Sequence, residues 1–205
     1  TPLANVMGGT NCKYTFYATF KQISISGIQV LLEGYSSSFR VYVSNGRLAV
    51  ITNSNSKTLS TSEILSPGVW HNVAISIDLE TPSNCKITLN GVDAALDVNN
   101  LTSTTAIATF LFIGKRQNNS NYFNGNISQI GVVNRVTTLL EDQTIHNSGL
   151  SLGVSDYYGS DCVYSFNPDN SGETAQFSVV DNVNSITVES FNMEDADKTT
   201  DNPYS

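Results

Sequence analysis

Two histidines, three cysteines and a scatter of carboxylates are the side chains of this chain with obvious chemical capacity. His71 follows Trp70 in the stretch PGVWHNVAISID, residues 67–78. A histidine acting as general base needs a nucleophile to activate and a carboxylate to orient it. Serine is abundant, but no G-x-S-x-G elbow occurs, and His146 has no partner close by in sequence. Read with period two, His71, Val73, Ile75 and Ile77 share one face of a strand, and Trp70, Asn72, Ala74, Ser76 and Asp78 share the other. That pattern gives His71 a place at the end of an inward face, within reach of a backbone carbonyl, and puts Trp70 at a sheet rim. No catalytic residue is expected. Glu194, Asp195 and Asp197 sit in a polar tail and read as a solvated charge run. Cys12, Cys85 and Cys162 are too widely spaced for a zinc site or a disulfide framework. Three buried thiols are expected, with one bridge and a leftover thiol left open.

Sugar binding asks for different residues: an exposed aromatic ring to stack on a pyranose, and amides or carboxylates to fix hydroxyls. RQNNSNYFNG, residues 116–125, offers Tyr122 beside Asn118, Asn119 and Asn121. GYSSSF offers Tyr35 in a second loop of similar character.

The elements that must position these groups are strands. KYTFYATF, IQVLLEG, FRVYVSNGRLAVIT, WHNVAISID, CKITLNG, ATFLFIG and NISQIGVVN are short, alternating and rich in β-branched or aromatic residues. Asn45-Gly46, Asn90-Gly91 and Asn124-Gly125 each offer the positive φ angles of a two-residue hairpin turn. About a dozen strands are too many for one flat sheet and call for two packed layers. One helix interrupts them, TTLLEDQTIHNSG: Thr138 and Glu141 make a capping box, and Leu139, Leu140 and Ile145 form an apolar side. Gly149 is the expected stop. DCVYSF, AQFSVVD and SITVESF follow as further strands, before the acidic tail NMEDADKTTDNPYS. The 205 residues therefore read as one all-β domain, with a surface rich in Asn, Ser and Thr suited to sheets with one wet face. A formal charge of −8 argues against nucleic acid, which calls for a basic stripe. No apolar run approaches the roughly 20 residues that insert across a bilayer. TPLANVMGGTNC has neither the basic start nor the apolar centre of a secretory leader.

Trp70-His71-Asn72-Val73, then Ile75, Ile77 and Asp78, then Ile87-Thr88-Leu89-Asn90-Gly91, resemble the central hairpin of laminin-G-like, concanavalin-A-like jelly rolls. Phe112-Ile113-Gly114, Phe123-Asn124-Gly125-Asn126-Ile127, Asn134-Arg135 and Ile145-His146-Asn147-Ser148-Gly149 continue the likeness over residues 12–150. The resemblance implies an antiparallel two-sheet jelly-roll sandwich with one short helix, completed by residues 151–191 and ending in a tail over 192–205. The family often binds Ca²⁺ at the sandwich rim, which makes Asp78, Glu80, Asp93 and Asp97 calcium candidates. It also includes glucanases, but their paired carboxylates on one strand face have no counterpart here. YYGSDCVYSFNPDNSG and the terminal NMEDADKTTDNPYS are similar to the ends of such proteins in tailed bacteriophages. That likeness implies a non-enzymatic virion protein, a capsid decoration, head fibre or tail-associated subunit, located in the virion. Its partners would be capsid or tail proteins and copies of itself, a trimer favoured, with host-surface glycans as a further partner. The alternatives are a free carbohydrate-binding lectin module and, behind it, a degraded glycosidase.

Overall fold

A computed structural model of the chain describes residues 11–34, 39–52, 57–101, 111–116, 118–147, 153–166, 178–180 and 187–189. Two six-stranded sheets carry the architecture. The first sheet contains β1 (Lys13–Gln22), β6 (Trp70–Asp78), β7 (Lys86–Leu89), β8 (Val92–Asp93), β11 (Gly125–Val133) and β12 (Cys162–Phe166), in the order β12-β11-β1-β6-β7-β8. The second contains β2 (Ile28–Gly34), β3 (Phe39–Ser44), β4 (Arg47–Thr52), β5 (Lys57–Thr61), β9 (Leu96–Asn99) and β10 (Leu111–Ile113), in the order β10-β2-β3-β4-β5-β9. Every pairing is antiparallel. The expected all-β jelly-roll sandwich is therefore the fold observed.

Alternation fills the space between the layers. Tyr14, Phe16, Ala18 and Phe20 of β1, with Val73, Ile75 and Ile77 of β6, face Phe39, Val41 and Val43 of β3 and Leu48 and Val50 of β4 in one apolar cluster. Each large side chain fully buried there contributes about 1.5–3 kcal/mol. His71 ends the inward row of β6, its Nε2 2.9 Å from the Ser66 carbonyl oxygen. Trp70 is half-buried at the rim, with the Lys21 ammonium 5.3 Å from its ring centre. The three cysteines are buried free thiols.

Two of the three Asn-Gly pairs make the expected turns. Asn45 and Gly46 have φ of 48° and 81°, Asn90 and Gly91 of 50° and 75°, each closing a two-residue hairpin. Asn124-Gly125 does not. Gly125 opens β11, where a Cβ would run into the Lys21 carbonyl of the neighbouring strand, so the glycine answers a close approach instead of a turn.

The outer face of the first sheet is not wet. Helix α1 (Leu139–Asn147) and a second, unanticipated helix α2 (Val154–Tyr158) are associated with it, and Asn72, Ser76 and Asp78 are buried with Ala74. Tyr17, Ala74 and Val133 of the sheet pack with Ile145, Val154 and Tyr158 of the helices. Gly131 permits this, since a Cβ on it would lie 2.7 Å from Val154 Cγ1. The face reads as polar because its hydroxyls answer a carboxylate. Asp142 of α1 is buried and accepts from the Tyr17 hydroxyl at 2.5 Å, Thr137 Oγ1 at 2.7 Å, Thr88 Oγ1 at 2.9 Å and Lys86 Nζ at 3.0 Å. The α1 pattern is therefore corrected: Asp142 and Ile145 point inward, while Leu140 is 72 % exposed. The capping box is present, with Thr138 N donating to Glu141 Oε2 at 2.8 Å and Glu141 N to Thr138 Oγ1 at 3.3 Å.

Beyond α2, β12 joins the first sheet beside β11. The other expected completing strands, β13 (Ser178–Val180) and β14 (Thr187–Glu189), pair with one another in a separate two-stranded sheet. Gly149 and the tail over 192–205 lie outside the described residues.

Removing the Asp142 carboxylate would strand Lys86 and three hydroxyls around a void. Asp142→Ala is expected to lower unfolding free energy by about 3–5 kcal/mol in urea titration, whereas Leu140→Ala should change it by less than about 0.5 kcal/mol.

A second prediction concerns acid. Arg135 grips Glu141 through two hydrogen bonds of 2.7 and 3.2 Å and donates from Nε to Asp161 at 2.9 Å. The guanidinium, aided by the Thr138 donors, holds the Glu141 carboxyl down at about 2 against an ordinary 4.5. Because the folded value is the lower one, the pair's stabilisation is complete above about pH 4.5 and is lost as pH falls towards 2. In acid titration followed by circular dichroism, Glu141→Gln should flatten the stability curve across that window.

Candidate functional site

The loop from Gly114 to Asn124 leaves β10 in the second sheet and enters β11 in the first. Gly114 turns it with φ of 71°, and the Phe123 N–H closes it on the Gly114 carbonyl at 2.7 Å. Within it, Asn119 N donates to Arg116 O, and Arg116 N to Ser120 O, both at 3.0 Å. Asn119 and Asn121 have φ of 55° and 52°, a left-handed conformation that asparagine tolerates better than most side chains. Val30 N of β2 donates to Asn121 O at 3.0 Å, so the loop continues the margin of the second sheet where β10 ends. Phe123 turns inward and meets Phe20 edge-on, ring centres 5.6 Å apart.

Four of the five residues singled out as sugar contacts share this turn. Asn118 Oδ1 accepts from Ser120 Oγ at 2.5 Å, and Asn119 Oδ1 from Lys115 Nζ at 2.9 Å. Tyr122, next to the inward Phe123, is 48 % exposed. Tyr35 lies outside the described residues.

Sequence reasoning missed the charged group beside this loop. A bulge in β2 sends both Leu31 and Leu32 into the core and returns Glu33 to the outer face, opposite Arg40 of β3. Glu33 is fully buried. Its Oε1 lies 2.8 Å from Arg40 Nε, 2.6 Å from Arg40 Nη2 and 3.3 Å from Arg116 Nε. Arg40 is nearly as buried as Glu33, while the Arg116 side chain keeps 27 % of its surface. Tyr42 lies two residues beyond Arg40 on the same face and is half-buried. Burial pushes its phenol above the ordinary value, and Arg40 draws it partly back. The one signal in the sequence was the opposition of Glu33 and Arg40 across a hairpin, and the bulge obscured it.

The calcium candidates do not converge. Asp78 caps the turn after β6, accepting from Glu80 N at 3.1 Å and Thr81 N at 2.9 Å, and Lys13 lies 2.7 Å from Glu80. Asp93 accepts from Thr88 Oγ1 at 3.2 Å, and Asp97 is 3.5 Å from Arg47 in the other sheet. Among the described residues, no three His, Cys, Asp or Glu side chains gather as a metal site would require. The buried carboxylates are also dispersed: Glu33 on the second sheet, Asp78 at the end of β6 and Asp142 on α1, each occupied by its own donors.

Residues 4–141 match Laminin_G_3, the Concanavalin A-like lectin/glucanases superfamily, and the chain belongs to that family. Among solved structures, it is similar to a putative carbohydrate binding protein from Bacteroides ovatus, with a TM-score of 0.66 and 16 % identity over 85 % of this chain. The match takes in 50 % of that protein, so the chain spans half of its length. It is also similar to the native heptameric SAP-like pentraxin of Limulus polyphemus (TM-score 0.57, 16 % identity, 76 % of this chain and 79 % of that one). The CBM40 of the Ruminococcus gnavus IT-sialidase, bound to alpha2,3 sialyllactose, superposes with a TM-score of 0.55 and 22 % identity, over 70 % of this chain and 86 % of that one. No curated protein matches the sequence.

The two arginines should behave differently when removed. Arg40→Met leaves Glu33 buried without its main partner and is expected to cost about 3–5 kcal/mol of stability in urea titration. Arg116→Met, at a partly exposed third member, should cost no more than about 1 kcal/mol.

Proposed function

We propose that this domain is a non-catalytic carbohydrate-binding module whose sugar site is the margin of the second sheet, at the loop from Gly114 to Asn124. The observation that carries the reading is Tyr122: an exposed ring in an amide-rich turn that is pinned to β2 and anchored in the core by its neighbour Phe123. A ring held in this way stacks on a pyranose at little entropic cost, with Asn118, Asn119 and Asn121 near enough along the turn to meet hydroxyls. Family membership and the carbohydrate-binding proteins among the similar structures support the assignment. Among the described residues the buried carboxylates are dispersed, whereas glycosidase chemistry uses two such groups flanking one bond.

This reading takes the lectin module ahead of the virion subunit. Of the two segments behind the virion expectation, NMEDADKTTDNPYS and the end of YYGSDCVYSFNPDNSG lie outside the described residues, and none of the structures named above is a virion protein. Self-association as a trimer belongs to that same expectation. Several copies on one particle or one chain would raise a weak sugar affinity by avidity, whatever carries them.

The test is a glycan array followed by calorimetry on the full chain. Tyr122→Ala should weaken binding to the best glycan about threefold to tenfold, the range for loss of one ring contact, and no β-glucan should be hydrolysed above the buffer blank. Absence of binding to every glycan would overturn the reading, as would turnover.

A further inference from the structure

We propose that the Arg116 guanidinium is a carboxylate-binding subsite, so that this domain takes acidic sugars, a step that rests on the carbohydrate-binding reading above and narrows its ligand class. The argument begins with charge. Glu33 and Arg40 stand opposite one another across β2 and β3, both buried, with two close nitrogen contacts on one oxygen. One carboxylate and one guanidinium already complete a neutral pair. Arg116 then adds a second guanidinium to the same oxygen, at the longer distance of 3.3 Å and through Nε alone. Among the described residues, counting Glu33 against Arg40 and Arg116 leaves one positive charge, on a chain whose formal charge is −8. Burial of Glu33 therefore does not call for Arg116, and placing it there brings one cation up to another.

Geometry says what the surplus cation can do. With Nε–H committed to Glu33, the two Nη groups remain as a fork with no hydrogen-bond or ion-pair partner among the described residues, on a side chain that keeps 27 % of its surface exposed. Such a planar fork matches a carboxylate through two parallel hydrogen bonds, which a hydroxyl pair of a neutral sugar does not reproduce with comparable strength. The fork is oriented before any ligand arrives, because Glu33 is fixed in the sheet by Arg40. The Arg116 backbone is locked as well, by its bonds to Asn119 and Ser120. The same turn thus carries the cation and the amides of Asn118 and Asn119, with Tyr122 two residues after Ser120. An acidic sugar would set its carboxylate on Arg116 and its ring and hydroxyls along the turn.

The experiment titrates the full chain with 3′-sialyllactose and with trigalacturonate, two different carriers of a sugar carboxylate, and with lactose and a sulfated lactose as controls. At least one carboxylated probe should bind about 10-fold or more tightly than lactose and the sulfated control, and its affinity should fall as salt is raised. Arg116→Met should reduce that affinity about 10- to 100-fold, the range for a charge-assisted pair. Arg116→Lys, which keeps the charge but not the fork, should recover only part of it. Both variants should melt within a few degrees of the parent, confirming that the loss is local. Equal binding of lactose and the carboxylated probes, preference for the sulfated probe, or indifference to Arg116→Met would overturn the subsite and leave the carbohydrate-binding reading standing. Failure of every glycan, neutral or charged, would remove both.

Discussion

Each sheet of this sandwich buries a carboxylate on its outer face, and the donors gathered around those two groups organise much of the structure outside the core. A carboxylate removed from water is tolerated only when its charge is matched and its lone pairs are occupied. Asp142 meets the condition with two hydroxyls from the first sheet, one from Thr137 and a single ammonium, Lys86. That arrangement is neutral and closed. It fixes α1 over β1, β6 and β7, and the polar outer face of the first sheet becomes an interior surface as a result.

Glu33 meets the same condition differently. Among the described residues its partners include two guanidiniums, of which one alone would balance its charge. The first carboxylate hub is thus a structural lock, whereas the second leaves a charge at its edge, held in position by the buried pair. The difference lies in the chain segment that each hub holds. Over Asp142 that segment is a helix that covers the site; beside Glu33 it is an open turn with an exposed tyrosine. On the proposed reading, stability and recognition are divided between the two outer faces, and the hydrophobic layer between the sheets is common to both.

The alternation of apolar residues made the strands and the two layers legible, since period two is imposed wherever one face is buried, as in Tyr14, Phe16, Ala18 and Phe20. Local turn chemistry was legible for Asn45-Gly46 and Asn90-Gly91 but misled at Asn124-Gly125, where a neighbouring carbonyl, invisible in a linear reading, selects the glycine. The helix α1 was found from its capping box, yet its buried side was misassigned, because Asp142 is drawn inward by Thr88 and Lys86, which lie more than fifty residues earlier. The short α2 has little periodicity to betray it, and Gly131, which admits it, lies on another strand. At the site, Tyr122 and the asparagines stood out by composition. Glu33, Arg40 and Arg116 did not, because a bulge and a separation of 83 residues hide their meeting.

The loop between β10 and β11 joins the two sheets, and that position matters for a sugar ligand. Sugars offer few apolar atoms and many hydroxyls already satisfied by water, so the net gain per contact is small and is easily cancelled by ordering a flexible loop. Here the ordering is built into the fold. Phe123 is packed against Phe20, the Phe123 N–H closes on Gly114, Val30 holds Asn121, and Gln29 Oε1 accepts from Asn124 N at 3.1 Å. Left-handed asparagines at 119 and 121 supply the curvature that most other residues adopt only under strain. The tyrosine ring and the guanidinium fork are therefore presented by backbone that has already lost its freedom during folding. On the proposed reading, a weak ligand then spends its contacts on recognition, and the charge of Arg116 beside Glu33 is the feature by which one sugar would be distinguished from another.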